Sequence, residues 1–267
     1  MPAKDGFELQ AHDIELLNYI FQLRLATIDH LSALSGRSVR ALWNRLLKLK
    51  QRRYLASVAR FMQKGVYGIG SEGVRVLIEE GYTPENFKAR RLRHHELREI
   101  GIRHSLFIAD IHTRLLILTR TGPLKITKWV EGSALWDSVV AHDNEARLPV
   151  RPDAYFALER AEQPQGKKTF HIFLEADRST MSHERMASKI VGFLAYYEQG
   201  AHTRKYPGMP GFLVATVTQT RSRADELRKA LHPLIPNAAR QAYLFIAYED
   251  LSLATLLPKA TAASAGA

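Results

Sequence analysis

Cysteine is absent from the 267 residues, which excludes disulfides and thiolate-held metals and fits a reducing compartment. No apolar run approaches the roughly eighteen residues a bilayer-spanning helix needs. The opening MPAKDGFELQ lacks the apolar core of a signal peptide, so the expected location is the cytoplasm, with no membrane partner. No Gly-rich phosphate loop and no Ser-His-Asp arrangement stands out, which leaves ATPase and serine-hydrolase chemistry without support. Acid is missing locally as well. From Arg37 to Lys64 there is no Asp or Glu, in a chain that carries a formal net charge of +11. That balance favours a polyanionic partner, either nucleic acid or an anionic surface, and charge alone does not choose between them.

The acid-free stretch begins RSVRALWNRLLKLKQRRY (37–54), where Val39, Leu42, Leu46 and Leu49 recur at three- and four-residue steps and predict one apolar stripe on a helix. Arg37, Arg40, Arg45, Lys48, Lys50, Arg52 and Arg53 populate the remainder. A solvated helix ordinarily mixes both signs of charge, so an unmixed one suits phosphates, although a plain charged solvent face has the same composition. Upstream, Asp13 is expected to cap a first helix containing Ile14, Leu16, Leu17, Ile20, Phe21 and Leu25, and Thr27 a shorter one ending at Gly36. Helix, short helix, turn and basic helix is the helix-turn-helix order. Downstream, Tyr54 to Phe61 and Val66 to Ile69 predict a hairpin around a Gln63-Lys64-Gly65 turn, the position of a wing. Ser71 is expected to cap a fourth helix ending at Gly81, giving a winged helix over 12–81. Arg37, Ser38, Arg40, Asn44 and Arg45 then lie where side chains reach base edges, with Lys48, Arg52, Arg53, Arg60 and Lys64 on phosphates. The expected partner is double-stranded DNA, bound by a homodimer on two half-sites, with no cofactor required. The alternative is a module for protein contacts.

Residues 82–95 predict a basic linker through KARRLRHH (88–95), in which adjacent His94 and His95 make a poor chelate. A long amphipathic helix follows, then strands, helices and strands alternating across an α/β domain over 96–250, with a small-residue tail over 258–267 expected to fray. Two of its strands carry acids. Asp153 stands in RPDAYFAL, and in TFHIFLEADRST Glu175 and Asp177 share one face opposite Ile172, Leu174 and Ala176. Three converging carboxylates favour a bound Mg²⁺ or a raised pKa, whereas pairing with Arg151, Arg178 and Arg185 would make them structural. On the following helix Arg185, Lys189 and Tyr196 are expected in line beside Met186, Ile190, Phe193 and Tyr197, with Lys189 in reach of the acids. Trp129 and Trp136 are expected to pack rather than stack on bases.

Pro152-Asp153 followed by Glu175-Ala176-Asp177 within that order of elements resembles the PD-(D/E)XK nuclease fold. The resemblance implies a mixed-sheet nuclease-like domain in which Asp153 and Glu175 hold the metal. It also implies a lysine two residues past the second acid, where this chain has Asp177; Lys189 would then substitute from the helix. Across residues 12–248 the chain also resembles the replication-relaxation family of plasmid and mobile-element proteins, through HDIELLNYIFQLRLATIDHL, RPDAYFAL and FLEADRSTMSHERMASKIVGFLAYY. That likeness implies DNA binding in replication or transcription control, together with a replication or conjugation partner. Two readings of the second domain stand: a degenerate nuclease-like core, with Asp153, Glu175, Asp177 and Lys189 catalytically silent, or a Mg²⁺-dependent endonuclease or nickase targeted by the winged helix.

Overall fold

Apolar residues at helical spacing, broken by Gly36, Gly70 and Gly81, set the first half of the computed structural model, which describes residues 7–61, 64–90, 98–141, 146–160 and 169–257. The helices α1 (Ala11–Leu23), α2 (Ile28–Ser35) and α3 (Val39–Gln51) follow one another, with a two-residue strand β1 (Ala26–Thr27) before α2. Leu16, Leu17, Ile20, Leu31, Leu34, Leu42, Leu46 and Leu49 are buried among them. Thr27 is the N-cap of α2 as expected, and Gly36 closes it at φ 70°, a left-handed position that costs glycine nothing. Asp13 is not the cap of α1. Gln10 is, and Asp13 sits three residues in, accepting the Gln10 N–H at 2.8 Å.

Strands β2 (Leu55–Phe61) and β3 (Lys64–Ile69) pair antiparallel, and β1 joins the outer side of β3, giving the order β1-β3-β2. Pairing runs to Phe61 opposite Lys64, so the connection falls on residues 62–63, outside the described residues, and not on Gln63 to Gly65. The helix α4 (Ser71–Glu79) starts with its N-cap at Gly70, not Ser71. A Cβ at Gly70 would lie 2.1 Å from the Arg53 carbonyl oxygen, so only glycine lets α4 begin this close to the end of α3.

The segment expected to link two domains is partly structured: Pro84–Arg90 forms α5, and the Phe87 and Tyr82 rings lie 4.9 and 4.8 Å from that of Phe21 on α1. His94, His95 and the rest of 91–97 lie outside the described residues, as do 258–267. The helix α6 (Glu99–Arg120) follows. The chain divides into two compact units, Met1–Thr113 and Arg114–Ala267, so the division falls within α6.

In the second unit β4 (Leu124–Glu131) leads to a hairpin of β5 (Asp137–Val140) and β6 (Arg147–Val150). Next come β7 (Ala154–Arg160), β8 (Thr169–Asp177), α7 (His183–Glu198), α8 (Ala201–Lys205), β9 (Leu213–Thr218), α9 (Arg221–Leu231) and β10 (Tyr243–Ala247). The main sheet is mixed, in the order β10-β9-β8-β7-β4: β4, β7 and β8 pair antiparallel, then β8, β9 and β10 parallel. Both faces of β7 and β8 are buried, which explains their near-continuous apolar runs. Tyr155, Phe173, Met186, Ile190, Phe193 and Tyr196 form the core between sheet and α7. Tyr196 is therefore core and Tyr197 is 53% exposed, the reverse of the expected order. Trp129 stacks on Phe156 at 5.4 Å, as a packing residue does.

Candidate nucleic-acid interface and acidic site

Burial of Leu42, Leu46 and Leu49 fixes how α3 is rotated. Arg37, Arg40, Asn44, Lys48, Lys50 and Arg53 are exposed on it or at its ends. Val39, assigned to the apolar stripe, is 46% exposed, and Trp43 and Leu47 are 57% and 48% exposed. Ser38 is the N-cap, its hydroxyl accepting the Ala41 N–H at 3.3 Å, which ties the side chain to the helix start.

Arg45 does not face solvent with the others. Its Nε donates to Asp13 Oδ1 at 2.6 Å, and its Nη2 donates to Asp13 Oδ2 and, at 2.8 Å, to the Glu8 carbonyl. The Asp13 side chain is fully buried. Burial alone would raise its pKa, but the Arg45 hydrogen bonds and the Gln10 N–H outweigh that and hold the carboxyl below its ordinary value. Arg45 is thus a brace between α1 and α3, and the sequence pattern of a basic helix gave no sign that one of its arginines points inward. Arg52 lies over the Phe7 ring at 4.2 Å, half-buried at the end of α3. Arg60 and Lys64 fall on β2 and β3 by their backbone, and their side chains lie outside the description.

In the second unit Asp153 stands just before β7, where its N–H donates to the Leu174 carbonyl at 3.0 Å and its Oδ2 accepts the Ala176 N–H at 2.8 Å. Because Ala154 is paired with Leu174, Asp153 falls opposite Glu175 in the register and shares its face. Lys189 reaches that face from α7, donating to Glu175 Oε2 and, at 3.5 Å, to the Arg151 carbonyl. Burial penalises the ammonium, and the charges of Glu175 and then Asp153 overcome that and hold Lys189 above its ordinary pKa. So Asp153, Glu175 and Lys189 do converge.

Asp177 goes elsewhere. Arg223, on α9, donates from Nε to Asp177 Oδ2 at 2.7 Å and from Nη2 to the Met181 carbonyl at 2.6 Å, and its Nη1 lies 3.1 Å from His183 Nε2. Asp177 is buried and Arg223 largely covered, at 1% and 12% side-chain exposure. None of Arg151, Arg178 and Arg185 is the partner found for Asp177, and Arg151 instead lies over Trp136 at 5.0 Å. Nothing local marks Arg223, which is 46 residues from Asp177. Among the described residues no group of three or more His, Asp or Glu stands so as to hold a metal ion. Asp177 is taken by the Arg223 guanidinium, which leaves Asp153 and Glu175 together with the Lys189 ammonium at the strand end.

A cleft of about 610 Å³ runs between α9 and β10, lined by Arg228, His232, Arg240, Tyr243 and Asp250 among others, and includes none of these acids. No helix among the described residues is long and apolar enough to cross a membrane.

Comparison with curated proteins and with solved structures gives no match. The family model described as replication-relaxation, however, matches residues 17–211, which take in the second half of α1, α2 to α4, the acid-bearing strands and α7, and the chain belongs to the replication-relaxation family.

Proposed function

We propose that this protein binds double-stranded DNA in plasmid or mobile-element replication, with α3 entering the major groove and the β2–β3 hairpin serving as the wing of a winged helix. The observation that carries the reading is the exposed cationic face of α3, within a stretch that has no acid from Arg37 to Lys64. Arg37, Arg40 and Asn44 are the base-edge set; Lys48, Arg53, Arg60 and Lys64 supply phosphate contacts. Ser38 and Arg45 leave the base-edge set and Arg52 the phosphate set, since the helix cap, Asp13 and Phe7 engage them. A homodimer on two half-sites, a cytoplasmic location and a replication or conjugation partner belong to the same proposal.

The test is a selection of binding sites from a random duplex library, followed by affinity measurements on the selected site and on unrelated duplex. Arg40→Ala costs about 1–3 kcal/mol on the selected site and little elsewhere, whereas Lys48→Ala weakens both alike. Binding that is equally weak on every duplex, for wild type and variants, removes the sequence-reading role. A monomeric mass by light scattering at micromolar concentration removes the dimer.

The nuclease-like reading of the second unit draws on one observation, the meeting of Asp153, Glu175 and Lys189 at the end of β7 and β8. We favour a silent site there, because Arg223 takes Asp177 and no group of three donors stands together among the described residues. Incubation with supercoiled DNA in Mg²⁺, Mn²⁺ or EDTA decides it. Metal-dependent nicking by wild type that the Asp153→Ala/Glu175→Ala double variant lacks would establish the enzyme. No cleavage, with DNA binding kept by both proteins, leaves a binding protein.

A further inference from the structure

The solvent side of α3 is not uniformly polar. Val39, Trp43 and Leu47 are each about half exposed and stand four residues apart, so they form one row along the helix. Arg40, Asn44 and Lys48 form a second row, one residue on, and all three are exposed. Lys50 and Arg53 add cations toward the C-terminal end. A half-exposed tryptophan and leucine on a short helix leave apolar area in water that a partner would cover. The surrounding charge restricts that partner. An apolar protein surface that docked here would bring Arg40, Lys48 and Lys50 against it with no acid of α3 to neutralise them, whereas a duplex brings phosphates to all three. Within the major groove the apolar group on offer is the C5-methyl of thymine.

We propose that Val39, Trp43 and Leu47 form a thymine-reading strip, in which Trp43 and Leu47 cover C5-methyl groups while the cationic row beside them holds the phosphates. This rests on the DNA-binding reading above and goes further, since it names the bases recognised: a half-site with consecutive thymines under α3. Arg40 and Asn44 donate to purine edges next to that run.

The experiment separates the two ideas. The duplex selected by the full-length protein is resynthesised with deoxyuridine for thymidine, which removes the methyl groups and leaves every hydrogen-bonding edge intact. Wild type is expected to lose about fourfold in affinity for each methyl contact removed. The Trp43→Ala/Leu47→Ala variant, whose positions are too exposed to hold the fold, should bind the thymidine duplex more weakly and show no further loss on the uridine one. Tight binding by wild type that is equal on both duplexes overturns the strip and leaves the DNA-binding reading standing. Failure to select or bind any duplex overturns that reading itself. Loss of dimer mass by light scattering in the double variant, with its uridine sensitivity unchanged, would assign the row to a second copy of the chain and overturn the proposal.

Discussion

Removing Arg45 should unfold the first unit more readily, and the size of the effect follows from what remains around Asp13. The wild-type carboxylate, fully buried, accepts two bonds from the Arg45 guanidinium and one from the Gln10 N–H. Arg45→Ala leaves a buried carboxylate with the Gln10 N–H and the His12 ring nitrogen, 3.3 Å from Oδ1, and breaking such a pair on one side costs about 3–5 kcal/mol. Asp13→Asn is milder, about 1–3 kcal/mol, because the amide still accepts while Arg45, 17% exposed, reaches water. The pH dependence has a definite sign. The folded pKa of Asp13 lies below its unfolded value of about 3.9, so its contribution is full above that value and is lost as pH falls through the folded one. In Arg45→Ala burial is opposed only by the Gln10 N–H and the charge of His12, so the acid limb should move to higher pH. Urea unfolding followed by far-UV circular dichroism from pH 7 down to pH 3 measures both effects. An unchanged urea midpoint for Arg45→Ala, together with lost DNA binding, would refute the brace and return Arg45 to the DNA face.

Gly70→Ala should cost at least about 2–3 kcal/mol in urea unfolding, since its methyl would stand 2.1 Å from the Arg53 carbonyl oxygen and the start of α4 must shift. Arg223→Ala should cost about 3–5 kcal/mol by stranding Asp177, and the Asp177→Ala/Arg223→Ala pair should recover part of that; strictly additive losses would deny the coupling. Burial pushes the Tyr155 and Tyr206 phenols up to about 12 and raises Tyr196 and Tyr243 too. A phenol whose folded pKa exceeds its unfolded value of about 10 stabilises the fold below pH 10 and loses that contribution as pH climbs toward the folded value. Absorbance at 295 nm near pH 10.5 should therefore report fewer ionised tyrosines in the folded protein than in urea, and equal titration would place these rings in water.

Local periodicity made most of the elements legible and left their partners hidden. On α3 two apolar rows run side by side, Leu42, Leu46 and Leu49 in the core and Val39, Trp43 and Leu47 outside it, and helical spacing fits either. Only packing against α1 and α2 selects one, so Val39 was assigned to the wrong row. Tyr196 and Tyr197 posed the same problem on α7, settled by the Tyr196 hydroxyl donating to Asp137 Oδ2 at 2.9 Å from a hairpin that the sequence pattern did not reveal. Strands β5 and β6 are four residues each, too short for alternation to register. The helix within the expected linker was hidden for a related reason, since the ring contacts of Tyr82 and Phe87 with Phe21 bridge some sixty residues and leave no local periodic trace.

The acidic site shows the same division between what alternation tells and what long-range pairing decides. Period-two spacing put Glu175 and Asp177 on one face, and they are on one face, toward α7 and α9. Their separate fates come from two cations on different helices, Lys189 and Arg223. The position where the nuclease-like pattern has its lysine carries Asp177, and an acid there would add a third carboxylate to a crowded strand end. Arg223 neutralises it from α9, and its further bond to the Met181 carbonyl ties the segment between β8 and α7 to the same guanidinium. Lys189 on α7 brings an ammonium to Glu175 two residues earlier on the same strand. The two acids of β8 are thus held by cations from two different helices, Glu175 by Lys189 and Asp177 by Arg223. Those two pairs order β8 against α7 and α9, and they make the loss of Lys189 or Arg223 a matter of stability before it is one of chemistry.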